Sequence, residues 1–160
     1  METYALLLAA TLNAGTVLAI AALGLLINEK SGVVNLGAEG MMLCAAIAGF
    51  AAVVHTGSDP LGFAAGMLAG ALMAAVFGAL VVGLNANPYA TGLALSLLGT
   101  GLSAFVGVSY VQAKVPERQS YAVPWLSDVP WLGEALFKHH PMVYAVIGLT
   151  LFLMWWFEHT

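Results

Sequence analysis

A single carboxylate, Glu39, lies among closely spaced glycines at the start of a long apolar segment. The stretch 32–43 reads Gly-Val-Val-Asn-Leu-Gly-Ala-Glu-Gly-Met-Met-Leu and contains no other ionisable side chain. An ionisable group at membrane depth is costly unless it faces protein or water, so such groups are functional candidates. The chemistry open to this stretch is recognition of a polar solute, with Asn35 as the neighbouring polar candidate.

Two interpretations of this stretch are open. In the first, Asn35 is the N-cap of the next helix and Glu39 lies in its first or second turn, where a carboxylate complements the positive end of the helix dipole. In the second, Gly32, Gly37 and Gly40 break or bend the helix at membrane depth. Freed backbone groups and Glu39 then face a water-filled cavity, as in the discontinuous helices of transporters. The spacing does not decide between them.

Small residues recur every four positions in two later apolar segments. They are Gly62, Gly66, Gly70, Ala74 and Gly78 in one, and Gly92, Ser96, Thr100 and Ala104 in the other, with Gly99, Ser103 and Gly107 beside them. Such stripes let membrane helices pack closely, which is the interpretation we prefer for both. In a second interpretation Thr91, Ser96 and Thr100 line a polar path.

The remaining polar side chains form no catalytic or metal-binding pattern. Cys44 is the only cysteine and is expected to fill space in a helix. The four histidines fall near the ends of apolar segments without a carboxylate at a suitable spacing; they are His55, His139, His140 and His159. The sequence also lacks a Gly-x-Ser-x-Gly nucleophile motif and a phosphate-binding loop. We expect no catalytic residue, no metal and no cofactor, and an interhelical hydrogen bond for Asn13.

The composition indicates that the chain lies in a lipid membrane. Of the 160 residues 61% are hydrophobic and 8% are charged, and the mean hydropathy is +0.94. Soluble domains carry roughly 25% charged residues. With four basic residues and a net charge of -4, the chain has no basic patch, which argues against nucleic-acid binding. The first apolar run lacks a positive leader and is too long for a signal peptide, so it is interpreted as a retained span.

Five apolar segments are candidates for membrane helices. They are 4–27, 36–54, 61–84, 89–111 and 142–157. A span needs about 20 residues, which the fifth reaches only with Pro141 or the residues after Glu158. Asp59 and Pro60 predict an N-cap and first position for the third helix. Since backbone polar groups cannot be left bare in lipid, the sequence predicts an all-α, polytopic transmembrane bundle in one domain, 1–160.

The long connection 112–140 differs from the short ones. It holds three of the four basic residues and three of the six prolines. Apolar residues recur at helical spacing in 130–139, which is interpreted as a short amphipathic helix on the membrane face with Trp125 and Trp131 at headgroup level. An irregular loop packed on helix ends is an equal alternative.

Two motifs resemble the membrane permease subunits of nucleoside and simple-sugar ABC importers, in the wider group that includes the ribose and branched-chain amino-acid permeases. The first is Asn-Glu-Lys-Ser-Gly-Val-Val-Asn-Leu-Gly-Ala-Glu-Gly-Met-Met-Leu at 28–43. The second is Thr-Gly-Leu-Ala-Leu-Ser-Leu-Leu-Gly-Thr-Gly-Leu-Ser at 91–103, and Leu-Asn-Ala-Gly-Thr at 12–16 also matches. The chain departs from the family at Asn87-Pro88, where a glutamine and a β-branched residue are typical.

The resemblance implies part of a type II ABC importer in the inner or plasma membrane of a prokaryote. Two permeases would pair around a central path in the lipid bilayer. Cytoplasmic ABC ATPases would drive them, and an extracytoplasmic binding lipoprotein would deliver the solute. Family members are about twice as long, so the chain is expected to be the N-terminal half of a permease.

The resemblance also implies an orientation. It places 28–35 and 85–88 in the cytoplasm and 112–140 outside. Lys30 is then the only basic residue inside, which runs against the positive-inside tendency. The other half of the permease is expected to add basic residues on the inner side.

Three functions are open on the sequence alone. The first is a permease half that lines a path for nucleosides or simple sugars and works by alternating access. The second is a small structural or assembly membrane protein, or a truncated fragment that does not transport. The third, an intramembrane enzyme, is least favoured because Glu39 is the only ionisable candidate within a span.

Overall fold

The computed structural model describes residues 2–114 and 141–159. The helices in these ranges are α1 (Glu2–Lys30), α2 (Ala38–Thr56), α3 (Asp59–Gly78), α4 (Pro88–Gly107) and α5 (Pro141–His159). α3 continues into a π-helical turn, Ala79–Gly83, and α4 into a 3-10 turn, Val108–Tyr110. The described ranges contain no β-strand. The predicted all-α class is confirmed.

Four helical segments have the length and composition of membrane spans. They are Ala10–Lys30, Ala38–Thr56, Asp59–Gly83 and Pro88–Tyr110. The fifth predicted span is also helical, but its apolar part, Val143–His159, is shorter than the other four. The chain is therefore an all-α, multi-pass membrane protein. The predicted interfacial helix at 130–139 lies outside the described residues.

Local sequence explains where α2, α3 and α4 begin and end. α2 ends at Thr56, and the next residue, Gly57, caps it in a left-handed conformation (φ 66°), its N–H donating to the carbonyl of Val53 at 2.8 Å. α3 begins at Asp59, so the residue at its N-cap is Ser58 and not Asp59 as predicted. α4 follows Asn87, whose side-chain oxygen accepts hydrogen bonds from the N–H groups of residues 89 and 90. This cap and Pro88 in the first turn start the helix.

One compact unit of the chain begins at Leu25 and contains α2, α3 and α4. The connection between α2 and α3 is two residues long, so these helices run antiparallel. The buried side chains of Met41, Phe77 and Leu95, one from each helix, form its core. Partly buried apolar side chains surround them; these are Val33, Met73 and Val81.

Glycines bring α3 close to α2. A Cβ atom on Gly66 would lie 3.1 Å from the carbonyl oxygen of Ala45, and one on Gly62 would lie 3.1 Å from that of Gly49. Gly70 also faces Ala45. Gly78, which shares the four-residue spacing, has open space where its Cβ would be, so it takes no part in this close glycine contact.

The second unit includes α1 up to Gly24 and α5. In α5, Val143 and Val146 are buried. The rings of Phe152, Trp155 and His159 lie against one another near its end, with centroids 6.3 Å and 5.0 Å apart for successive pairs. Asn13 lies in α1, and its side chain is outside the described part of the structure.

The outward faces of the helices are apolar. Leu72, Leu97 and Phe105 are exposed by 68%, 69% and 80%, and many other large apolar side chains are exposed in the same way. Soluble monomers rarely expose apolar surface so continuously. These faces fit contact with lipid or with further membrane helices.

Candidate functional site

The connection between α1 and α2 is organised by Asn35. Its side chain is buried, and its Oδ1 accepts a hydrogen bond from the N–H of Gly37 at 2.8 Å. Its Nδ2 donates towards the sulfur of Met41 at 3.7 Å. Because α2 begins only at Ala38, with Gly37 in the N-cap position, the prediction that Asn35 is the N-cap is wrong. Asn35 closes a turn before the helix instead.

The glycines of this stretch do not break a helix at Gly40. Gly32 adopts a left-handed conformation (φ +82°) in the turn after α1, and Gly37 precedes α2. Gly40 lies inside α2, which runs unbroken from Ala38 to Thr56. In this stretch the helical backbone is interrupted at 31–37, the connection between α1 and α2, and not at Gly40. Glu39 lies in the first turn of α2, as the first of the two interpretations predicts.

Gly40 instead brings α2 into backbone contact with α4. A Cβ atom on Gly40 would lie 2.5 Å from the carbonyl oxygen of Leu95 and 2.6 Å from Cα of Ser96. One on Gly92 would lie 2.8 Å from the backbone nitrogen of Leu36. Real Cβ atoms do not approach other atoms so closely. Only glycine therefore fits at positions 40 and 92 while the two backbones lie this close together.

α2 and α4 run parallel along this contact. Gly40 meets Ser96 near the start of α2, and the sulfur of Cys44 lies 3.9 Å from the carbonyl of Gly99 one turn later. Further along, the Ile47 side chain reaches Gly107. Cys44 is buried in this seam as a small packing residue.

Glu39 lies on the side of the α2–α4 pair that faces away from α3. Successive helical residues are turned by about 100°, so Glu39 and Met41 point in nearly opposite directions. Met41 packs with Phe77 of α3 in the core, whereas the Glu39 side chain is exposed. Within this unit the carboxylate thus lies on a face that α3 does not cover.

The polar residues of α4 divide between the two sides. Thr91 is one turn before Leu95, which packs with Phe77, so Thr91 lies on the α3 side. Thr100 is turned well away from Leu95 and is exposed, and its hydroxyl donates to the carbonyl of Ser96 at 2.9 Å. Ser96 lies between them, facing Gly40.

We call the surface between α2 and α4 on the side away from α3 the open groove. By helical rotation Glu39, Leu43 and Phe50 share this face of α2, and Ser96 and Thr100 lie on the same side of α4. The structure therefore brings three of the five candidate solute-path residues to one surface. The other two, Asn35 and Thr91, lie elsewhere, on the α3 side of the contact.

The end of α2 is joined to the 3-10 turn after α4 by a polar pair that was not among the sequence candidates. His55 Nε2 lies 2.9 Å from the hydroxyl of Tyr110. The His55 side chain is exposed, and that of Tyr110 is partly buried. The Tyr110 ring also meets Phe50 edge to face, with centroids 6.1 Å apart. His55 lies near the end of the span Ala38–Thr56, and Tyr110 is the last residue of the span Pro88–Tyr110. A parallel arrangement of α2 and α4 brings these two ends together, but the sequence does not predict that arrangement.

The described residues include no group of three or more His, Cys, Asp or Glu side chains that could hold a metal ion. The open groove has one carboxylate, from Glu39, and two hydroxyl groups, from Ser96 and Thr100. Such a surface can form hydrogen bonds with a polar solute but has no pair of groups arranged for acid–base chemistry.

Comparisons with known proteins agree with the motifs. Residues 7–160 match the family described as branched-chain amino acid transport system / permease component. The chain is 40% identical, over 98% of its length and 49% of the relative's, to a putative glucose ABC transporter permease protein of Haloferax volcanii. It is 30% identical to a guanosine ABC transporter permease protein of Bacillus subtilis and 27% identical to a nucleoside ABC transporter permease protein of Lactococcus lactis, in each case over 98% of its length and 52% of theirs.

The chain thus spans about half the length of the curated relatives it matches. No solved structure matches it significantly. The family expected from the sequence motifs is confirmed.

Proposed function

Because this chain belongs to the family of branched-chain amino acid transport system permease components, we propose that it forms part of the translocation path of an ATP-driven importer of nucleosides or simple sugars. The observation that carries the proposal is that Glu39, Ser96 and Thr100 share one side of the α2–α4 contact. Polar groups on membrane helices are costly in lipid and mark solute pathways.

The chemistry of the open groove suits a neutral solute rich in hydroxyl groups. The Glu39 carboxylate accepts hydrogen bonds from hydroxyl donors, and hydrogen bonds to a charged acceptor are the stronger kind. The hydroxyls of Ser96 and Thr100 accept hydrogen bonds as well. Relatives whose names refer to glucose, guanosine and nucleosides support this solute class.

The proposal includes partners that the family architecture requires. A second permease subunit completes the path, and an ABC ATPase on the cytoplasmic side hydrolyses ATP, so the chain itself is not an enzyme. A binding lipoprotein outside the cell delivers the solute. The location that fits these partners is the inner or plasma membrane of a prokaryote.

A structural or assembly role without transport is the alternative. The glycine contacts of α2 with α3 and α4 support it, because close packing alone explains them. In this alternative Glu39 only complements the positive end of the α2 dipole. A non-transporting half-length permease is a variant of the same alternative.

Uptake of labelled guanosine and labelled glucose tests the proposal. The assay compares cells that carry the gene and its genomic neighbours, cells that lack the gene, and cells in which the gene is restored. We expect uptake of at least one solute class to be lost and then regained. If uptake of both nucleosides and sugars is the same with and without the gene, the structural alternative is correct.

A further inference from the structure

α5 carries four ring side chains close together, which we call the aromatic row: Phe152, Trp155, Trp156 and His159. The Phe152 ring meets both indoles, with centroids 6.3 Å and 6.0 Å away. The His159 ring lies over that of Trp155, with centroids 5.0 Å apart. Phe152, Trp155 and Trp156 are exposed by 51%, 55% and 50%. Residues three and four positions apart are neighbours on a helix, so the row occupies one side of α5.

The aromatic row lies opposite the buried side of α5. Val143 and Val146 are buried, and Leu153 and Phe157, at the spacing that continues the same face, are partly buried. With successive residues turned by about 100°, this face and the aromatic row point in nearly opposite directions. The row is therefore not part of the packing that buries α5.

Before the aromatic row, α5 is apolar on all sides. Its polar side chains within 142–151 are Tyr144 and Thr150, and the Thr150 hydroxyl donates to a carbonyl one turn earlier at 2.8 Å. On the exposed side lie Ile147 and Leu151. A helix that lies flat on a membrane needs a strongly polar face, which α5 lacks. This surface suits a helix that enters the hydrocarbon core.

At the aromatic row the sequence changes from apolar to polar. The apolar run stops at Phe157, and Glu158 and His159 follow directly. A carboxylate is costly within hydrocarbon, so Glu158 marks the limit of the apolar layer. Tryptophan is enriched at this boundary because its ring is apolar and its N–H is a hydrogen-bond donor. The Nδ1 atom of His159 lies 2.8 Å from the carbonyl oxygen of Trp155, which holds the histidine ring over the indole.

We propose that α5 crosses the bilayer and that the aromatic row binds the headgroup and glycerol layer of the lipid, which fixes the depth of the helix. Lipid ester and phosphate oxygens accept hydrogen bonds from indole N–H groups, whereas apolar helix surfaces offer no such acceptor. The occupant of this exposed face is thus lipid and not another protein chain. The inference does not depend on the proposed function.

Quenching of tryptophan fluorescence by brominated lipid measures the depth of the row. The full chain with Trp125→Phe and Trp131→Phe fluoresces from Trp155 and Trp156 alone. It is reconstituted into phosphatidylcholine vesicles whose bromines lie either near the headgroups or near the ends of the acyl chains. The matched control carries Ile147→Trp and phenylalanine at all four native tryptophan positions. Its single indole lies on the exposed side of α5, about 12 Å further along the helix axis.

We expect bromines near the headgroups to quench Trp155 and Trp156 about twofold more than bromines near the chain ends, and the control to show the reverse order. Stronger quenching of the native pair by the deep bromines would place the row within hydrocarbon and overturn the inference. Absence of quenching by either lipid would mean that protein covers the row, which also overturns it. A control quenched mainly by the shallow bromines would show that α5 lies flat and does not cross.

Discussion

Gly99 of α4 lies with its Cα against the backbone of Gly40 in α2, so that a Cβ atom on Gly99 would overlap the Gly40 carbonyl group. Lipid is as apolar as the helix surfaces, so helix association in a membrane depends on such close packing and not on burial of apolar area from water. The contact fixes α4 relative to α2, and it thereby fixes Ser96 and Thr100 relative to Glu39.

The first prediction concerns the stability that this contact provides. We expect Gly99→Ala to lower the free energy of unfolding by about 1–3 kcal/mol, because the added methyl group must displace backbone. Gly101→Ala is the matched control, since nothing lies within 4 Å of its Cβ position, and the better helix propensity of alanine should stabilise it slightly. Thermal unfolding in detergent measures both variants. Equal shifts would show that the Gly40–Gly99 contact contributes nothing.

Much of the fold could be predicted from hydrophobicity alone. Long apolar runs fix the number and type of the helices, because a lipid environment leaves the backbone no alternative. The small-residue spacing favoured close packing of α3 and α4; Gly66 and Gly99 lie against neighbouring backbone, whereas Gly78 has open space. Polar turn residues predicted helix starts to within about two residues, which is the usual scatter of helix ends.

The pairing of helices could not be predicted, and the candidate site depends on it. The two interpretations of Gly40 stayed open because a glycine has the same spacing whether it bends a helix or receives a neighbour. Which of the two a glycine does depends on whether another helix packs against it. At Gly40 that helix is α4, and the nearby contact between Cys44 and Gly99 joins residues 55 positions apart in the sequence. The His55–Tyr110 pair has the same sequence separation and was missed for the same reason.

The second prediction concerns Asn35. The buried Oδ1 of Asn35 satisfies the N–H of Gly37, so Asn35→Ala leaves a buried donor without its partner and should cost about 1–3 kcal/mol of unfolding free energy. Asn35→Ser is the control, because a serine hydroxyl accepts the same kind of hydrogen bond in a turn and should restore part of the loss. Both are measured by thermal unfolding in detergent. If serine and alanine behave alike, the hydrogen bond is not what stabilises this turn.

The third prediction concerns the start of α4. Asn87 caps the helix by accepting hydrogen bonds from residues 89 and 90, at 2.9 Å and 3.3 Å. Asn87→Ala should lower the free energy of unfolding by about 1 kcal/mol, whereas Asn87→Asp should retain most of it because aspartate is an equally good N-cap. Unfolding curves of the three proteins in one detergent provide the test. A loss of stability in Asn87→Asp as large as in Asn87→Ala would contradict the capping role.

The last prediction tests whether Glu39 contacts solute or only complements the dipole of α2. Glu39→Gln keeps the size of the side chain but removes its charge. If the carboxylate binds solute hydroxyls in the open groove, uptake at low solute concentration should fall about tenfold or more, the value of one hydrogen bond to a charged group. Glu29→Gln, at an exposed acid near the end of α1, is the matched control and should leave uptake unchanged. Uptake is normalised to the amount of protein in the membrane. Wild-type uptake by Glu39→Gln would leave Glu39 with a dipole role alone, and an equal loss in both variants would mean that uptake responds to charge on this side of the membrane and not to the groove.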